Sequence, residues 1–299
     1  MTPTTSDYFK LHFIVLLWGF TAILGKLVSI PAVEMVFYRT LLAAIGMGTV
    51  MIVLRTSFKI SSSDFWKIFL TGFIVAAHWL TFFASGRVAN ASVSLVGFAT
   101  GSLWTALIEP LVKRKKIQAI EVGLGLMVIV GLSIIFAFDF QYPLGLLLGI
   151  LSGLTMAIFA VINSTFVSRV NPYTITFYEM TGACLATALF FPVYTTFFTA
   201  DQQLHLIPSG MDWIYIAAMA WACSVYAYAV ALNLMKKVSV FLISLTLNLE
   251  PVYGIIMAVI VFGDSEKMNL NFYIGTLVIL GAVLSYPLLK TRLASLQKT

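Results

Sequence analysis

Residues 238–262 read VSVFLISLTLNLEPVYGIIMAVIVF, twenty-five positions with one charge, Glu250. A helix rises about 1.5 Å per residue, and a hydrocarbon core about 30 Å thick takes roughly 20 apolar residues. The stretch is long enough to cross a bilayer. Its texture is unusual, because Ser244, Thr246, Asn248 and Glu250 alternate with apolar residues. At about 100° per residue, Ser244 and Asn248 share one stripe, and Thr246 and Glu250 share another nearly opposite. Such a helix is expected to be buried on two sides. Pro251 cannot donate to the carbonyl of Leu247 and crowds it, which predicts a kink at mid-membrane. Asn248, beside that freed carbonyl, is either a substrate contact or interhelical glue.

Nine more apolar stretches accompany it, at about 11–29, 32–54, 65–86, 91–112, 118–138, 143–168, 172–198, 211–235 and 271–289. Composition agrees: 60% of the 299 residues are hydrophobic, 10% are charged, and mean hydropathy is +0.98. A soluble domain carries about 25% charged residues. A soluble enzyme, a nucleic-acid-binding module and a disordered chain are excluded, and the expected macroscopic partner is the lipid bilayer. Cys184 and Cys223 lie inside apolar runs, so no disulfide framework is readable. The first stretch has no small-residue cleavage site and is read as a retained helix.

Lysine and arginine orient the spans. Lys10, Arg55, Lys59, Lys67, Lys113, Arg114, Lys115, Lys116, Arg169, Lys236, Lys237, Lys290, Arg292 and Lys298 fall on one side. Lys26, Arg87 and Lys267 fall on the other, and Arg39 lies within a span. Both termini are therefore expected in the cytoplasm, and the net charge of +6 is an orientation signal.

The sequence also echoes itself. Phe37-Tyr38-Arg39 matches Phe177-Tyr178-Glu179 and Ser92-Val93-Ser94-Leu95 matches Ser239-Val240-Phe241-Leu242, while Gly125 and Gly131 match Gly275 and Gly281. The matches keep their order, with five spans per repeat. An odd number threads the second half through the bilayer from the opposite side. The expected architecture is an all-α membrane protein of ten transmembrane helices in two inverted five-helix repeats, at residues 1–140 and 141–299. Inverted repeats rocking about a midplane site are the basis of alternating access.

The run Asn248-Leu249-Glu250-Pro251-Val252-Tyr253, followed by Phe262-Gly263-Asp264, resembles the EamA-type branch of the drug/metabolite transporter superfamily, and the likeness covers essentially the whole chain. Two positions depart from the family pattern. Asp264 stands where glutamate is usual, and Glu109-Pro110 is out of register with Glu250-Pro251, whose counterparts are Leu103 and Trp104. The resemblance implies a secondary active transporter of the cell inner membrane, monomeric or homodimeric, rather than an enzyme. Its partner would be a small-molecule substrate, chiefly an exported amino acid or related metabolite. It also implies a cavity between spans one to four and six to nine, with spans five and ten peripheral. No Gly-x-x-x-x-Gly-Lys loop and no metal-ligand spacing is present, so no cofactor is expected and the energy would come from a gradient or from the solute itself. The rival readings are an uncoupled facilitator and a membrane-embedded enzyme. The enzyme would need clustered acid–base groups, which Arg39, His78, Glu179 and Glu250 do not form by spacing.

A charge at bilayer depth costs about 2.5–3.5 kcal/mol on insertion scales, so such residues face a bundle interior or a wet cavity. Arg39 and Glu250 fall at a similar level, roughly 10–12 Å from one face. They are expected either to pair or to stand poised on one cavity wall. Glu179 lies a little lower with no basic residue in register. It is either a proton-coupling carboxyl or a hydrogen-bonded structural one. His78 is a cavity-lining or helix-bonding residue, or else a substrate ligand. Glu109 is explained by Lys113 one turn on. Trp18, Tyr38, Trp79, Phe82, Trp104, Trp221, Tyr226 and Tyr228 lie within spans, where they line a pocket or pack. Gly145, Gly149, Gly153 and Ala157 on span six, with Gly97 and Gly101 on span four, form small-residue faces for close helix approach.

Overall fold

The computed structural model describes residues 3–89, 91–135, 142–254 and 270–296. Ten helical segments follow one another there: α1 (Thr5–Leu27), α2 (Ala32–Val53), α3 (Ser62–Val88), α4 (Ala91–Val112), α5 (Ala119–Ile135), α6 (Pro143–Phe166), α7 (Pro172–Phe197), α8 (Gly210–Leu234), α9 (Val240–Gly254) and α10 (Leu270–Leu296). Eight are long and apolar enough to cross a membrane, and α5 and α9 are shorter apolar helices among the described residues. The part of the ninth span beyond Gly254, including Phe262-Gly263-Asp264, lies outside the described residues.

Local chemistry sets the helix ends. The Ser61 hydroxyl accepts from the Asp64 N–H and the Asn171 side chain accepts from the Tyr173 N–H, with Pro172 already holding the first helical φ. At the start of α8, Ser209 and Asp212 form a reciprocal capping box. Arg55 and Arg114 close α2 and α4 in the left-handed conformation, each with φ of 52°. Behind them, Thr56 N–H reaches the Met51 carbonyl and Lys115 N–H the Pro110 carbonyl, both at 2.8 Å. These bonds satisfy the last carbonyls of each helix. Away from the interior, Leu144, Leu147 and Leu151 on α6, Leu185 and Leu189 on α7, and Leu277, Leu284 and Leu288 on α10 are exposed. They recur three, four or seven positions apart, so each helix turns one apolar face outward, as a lipid-facing surface requires.

Packing follows the repeat. In the order of the halves α1 corresponds to α6, α2 to α7, α3 to α8, α4 to α9 and α5 to α10. The α4–α6 contact is matched by α9–α1, and both rest on glycine. A Cβ at Gly97 would stand 2.7 Å from the Gly149 Cα, and one at Gly19 would stand 3.0 Å from the Glu250 carbonyl oxygen. The α3–α7 contact at Gly72 and Gly182 is matched by α8–α2, where a Cβ at Gly46 would lie 3.2 Å from the Trp221 ring nitrogen. Helices α5 and α10 pack on each other through Gly131 and Gly275. Small residues let backbones meet where lipid supplies no hydrophobic drive.

Two helices depart from regularity. In α8, residues Met219–Tyr226 wind as a π-helix, and the Ala227 N–H reaches back five residues to the Ala222 carbonyl. In α9, the helix breaks at Asn248 and Leu249 and resumes at Glu250, directly before Pro251. From Val240 to Leu249 every residue of α9 is buried. The two-sided burial and the mid-span break are both as the polar alternation and the proline require.

Candidate functional site

A cavity of about 450 Å³ lies among α1, α2, α3, α4, α6, α8 and α9. Neither α5 nor α10 contributes to its wall. Of the residues singled out from sequence, Trp18, Arg39, His78, Trp79, Phe82, Tyr228, Ser244, Glu250 and Pro251 line it.

Arg39 is 1% exposed. Its guanidinium carbon sits 4.2 Å above the Trp79 ring, and its Nε donates to the Ser224 hydroxyl at 2.9 Å. The π-helical turn of α8 makes this possible. Its wider register presents Ser224 to Arg39 and leaves the Cys223 carbonyl free to accept from the Trp18 indole N–H at 2.9 Å. The Cys223 thiol in turn donates to the Leu17 carbonyl. One irregular turn therefore ties α1, α2 and α8 together at the cavity wall. Arg39 Nη1 and the Thr21 hydroxyl are buried without a hydrogen-bond partner. Among the described residues no ion pair joins Arg39 to Glu250. The paired arrangement is not formed, because Ser224 and Trp79 hold the guanidinium, and the two charges share the cavity wall unpaired.

His78 bonds a neighbouring helix and also lies at the cavity. Its Nδ1 engages the Ser152 hydroxyl at 2.9 Å and the Ser152 carbonyl at 3.0 Å, bonding α3 to α6. Its ring faces the cavity between Phe98 and Phe159, each 5.6 Å away. Phe159 also meets Tyr228, at 6.1 Å.

Glu179, on α7, does not line the cavity but touches two residues that do. Its Oε2 accepts from the Tyr228 hydroxyl at 2.8 Å and from the Asn163 amide at 3.2 Å, and the same amide donates to Tyr228 at 3.0 Å. All three residues are buried. Glu179 Oε1 and Asn163 Oδ1 have no partner. A carboxyl without an ion pair among the described residues thus lies one side chain behind the wall.

Other sequence candidates stand elsewhere, and of these Trp221 and Tyr226 are exposed. Tyr38 directly precedes Arg39, about 100° around the helix, and is half-buried. Its hydroxyl donates to the Leu206 carbonyl at 2.7 Å and its ring packs on Trp213. Trp104 is on α4, which shows the cavity its Leu95 and Phe98 face, and Trp104 lies about 120° around from Phe98. Asn248 spends its amide on the Ser244 and Leu245 carbonyls of its own helix, both at 3.1 Å, so it repairs the break in α9. Glu109 pairs with Lys113 at 2.7 Å, as the spacing required, and its other oxygen accepts from the Phe241 N–H at the start of α9.

Asn163, Phe98, Phe159 and Met156 line the cavity without having been singled out. Asn163 did carry a signal, being the one side-chain amide in residues 143–168 and lying on the stripe of Met156, Phe159 and Ala160. Among the described residues no group of three or more histidines, cysteines or carboxylates could hold a metal ion.

Comparison with known proteins agrees with this geometry. The model of the EamA-like transporter family matches residues 8–137 and again 143–286. An uncharacterized transporter of Bacillus subtilis (strain 168), named YxxF, is 20% identical over 264 residues, covering 85% of this chain and 81% of the relative. A crystal structure of another protein superposes with a TM-score of 0.78 at 16% identity, covering 97% of this chain and 99% of that one, which shows the shared fold. Two family matches, one per five-helix half and together spanning most of the chain, make this multi-pass membrane protein a member of the EamA-like transporter family, a family of transporters and not of enzymes.

Proposed function

We propose that the protein is a secondary active transporter that exports amino acids or related small metabolites from the cytoplasm by alternating access, with both termini cytoplasmic. The observation that carries this reading is the composition of the cavity wall. Trp18, Arg39, Trp79 and Phe98 come from the first half and Asn163, Tyr228, Ser244 and Glu250 from the second. A site built by both halves changes shape when one rocks against the other. The glycine contacts at Gly97–Gly149 and Gly19–Gly254 are narrow ridgeless seams along which such rocking meets little side-chain obstruction. A volume of about 450 Å³ lies within the roughly 300–1,000 Å³ of small-molecule sites.

We assign proton coupling to Glu179. Its carboxyl reaches the cavity only through Tyr228 and Asn163, so a solute that moves either side chain changes the hydrogen bonds that hold the carboxylate. The test is solute counterflow in proteoliposomes with the pH varied on each side. Transport by wild type is expected to follow the pH gradient, and Glu179→Gln is expected to exchange solute at a rate indifferent to it. Full pH dependence in Glu179→Gln removes the coupling role. Turnover of a solute in detergent, with no second compartment, would favour an enzyme.

A further inference from the structure

One cation on the cavity wall has an unused hydrogen-bonding edge. A guanidinium carries five N–H donors. In Arg39 the Nε–H is taken by Ser224, the face is covered by Trp79, and Nη1 is buried with no partner. A charged donor left unsatisfied in a buried site is costly, so an acceptor brought to it gains free energy. Among the described residues lining the cavity Glu250 is the one acid, and it makes no ion pair with Arg39.

We infer that the free edge of the Arg39 guanidinium is an anion subsite, and that the solute carried is an amphipathic organic anion with one carboxylate on an aromatic or branched aliphatic body. This rests on the transport reading above and names the substrate class for it. A carboxylate matches the fork of a guanidinium with two parallel N–H···O bonds. Trp18, Phe82, Phe98 and Phe159 offer the body aromatic walls. The same geometry rejects the alternatives. A neutral apolar solute would leave the already buried Nη1 without an acceptor, and sites that bury an unpaired polar group discriminate strongly against ligands lacking its mate. A solute carrying only positive charge would meet the guanidinium charge directly.

Three probes with nearly the same body test this: 3-phenylpropionate, 3-phenylpropanamide and 2-phenylethylammonium. Binding to the purified full-length protein is read by calorimetry and by thermal shift, and exchange is read by counterflow in proteoliposomes. Wild type is expected to bind the carboxylate at least about tenfold more tightly than the amide or the amine. Arg39→Gln should bring the carboxylate down to the level of the amide, and Arg39→Lys should retain part of the preference, since it keeps the charge and loses the fork. Glu250→Gln should tighten carboxylate binding, because it removes a negative charge from the wall of the same cavity. A purely structural arginine would lower thermal stability on substitution without altering this order of ligands. Equal binding of carboxylate and amide by wild type, a preference that survives Arg39→Gln, or no binding of any probe at millimolar concentration overturns the subsite. If Arg39→Gln does not fold, the wild-type ranking and the sign of the Glu250→Gln effect decide. Selective binding with no counterflow would refute transport and leave the anion subsite standing, while equal counterflow of carboxylate and amide would do the reverse.

Discussion

One glycine in the α4–α6 seam and one on the open face of α5 offer a measurement with opposite signs. A Cβ placed on Gly153 would lie 2.7 Å from the Phe98 carbonyl oxygen, 2.8 Å from the Gly101 nitrogen and 2.9 Å from the Thr100 hydroxyl. Two of these atoms are backbone, so the helices must part by roughly 0.7 Å to reach an ordinary contact distance near 3.4 Å. Overpacking of this kind costs about 1–3 kcal/mol, offset by about 0.8–1.0 kcal/mol from replacing glycine with alanine inside a helix. Gly153→Ala should therefore cost from about zero to 2 kcal/mol, and Gly153→Val, with two more methyl groups in the same gap, at least about 2 kcal/mol. A Cβ at Gly123 meets nothing within 4 Å, so Gly123→Ala should gain about 0.8–1.0 kcal/mol. Thermal unfolding in detergent, at about 2 °C per kcal/mol for a chain of this size, reads the order directly. Gly123→Ala should rise by about 2 °C, Gly153→Ala should fall by up to about 4 °C, and Gly153→Val should fall furthest. Because the obstructed backbone belongs to Phe98, the valine variant should also lose ligand affinity. A Gly153→Val protein as stable as Gly123→Ala would refute the seam.

Two further outcomes are expected. Tyr228→Phe removes the shorter of the two hydrogen bonds to Glu179 Oε2, which should cost about 1–3 kcal/mol in detergent unfolding and shift the pH profile of transport, while Phe159→Leu beside it should leave that profile in place. Asp212→Ala removes bonds to the Ser29 N–H, the Ser29 hydroxyl and the Ser209 N–H at 2.8, 2.6 and 2.8 Å, so it should lower the unfolding temperature by several degrees, with Asp212→Asn intermediate.

The helices were legible because bilayer-spanning segments are written as uninterrupted apolar runs, and the break in α9 because proline lacks the N–H that its helix needs. The small-residue stripes were legible too: Gly149 and Gly153 meet Gly97 and Gly101 in the structure. Glu109 with Lys113 needed only helical spacing. What the chain did not declare were the contacts made across helices. Glu179 takes its partners from α6 and α8, 16 and 49 positions away, and no periodicity encodes that. The π-helical turn reads as an unremarkable apolar stretch, MAWACSVY, because hydropathy carries no record of backbone register. Tyr38, Trp104 and Asn248 were chosen by residue type, and rotation about the helix axis or a local carbonyl claimed each of them instead.

The glycine seams have a bearing on biosynthesis. Each joins one helix of the first half to one of the second, α4 to α6 and α1 to α9, so neither half holds its own closest neighbours. Gly19 leaves the ribosome more than two hundred residues before Gly254, which at about 5–20 residues per second is on the order of ten seconds or longer. Throughout that interval the first helix must wait in lipid, or beside the insertion machinery, with its tightest face unfilled. Separately expressed halves should accordingly be degraded alone and rescue one another only when produced together.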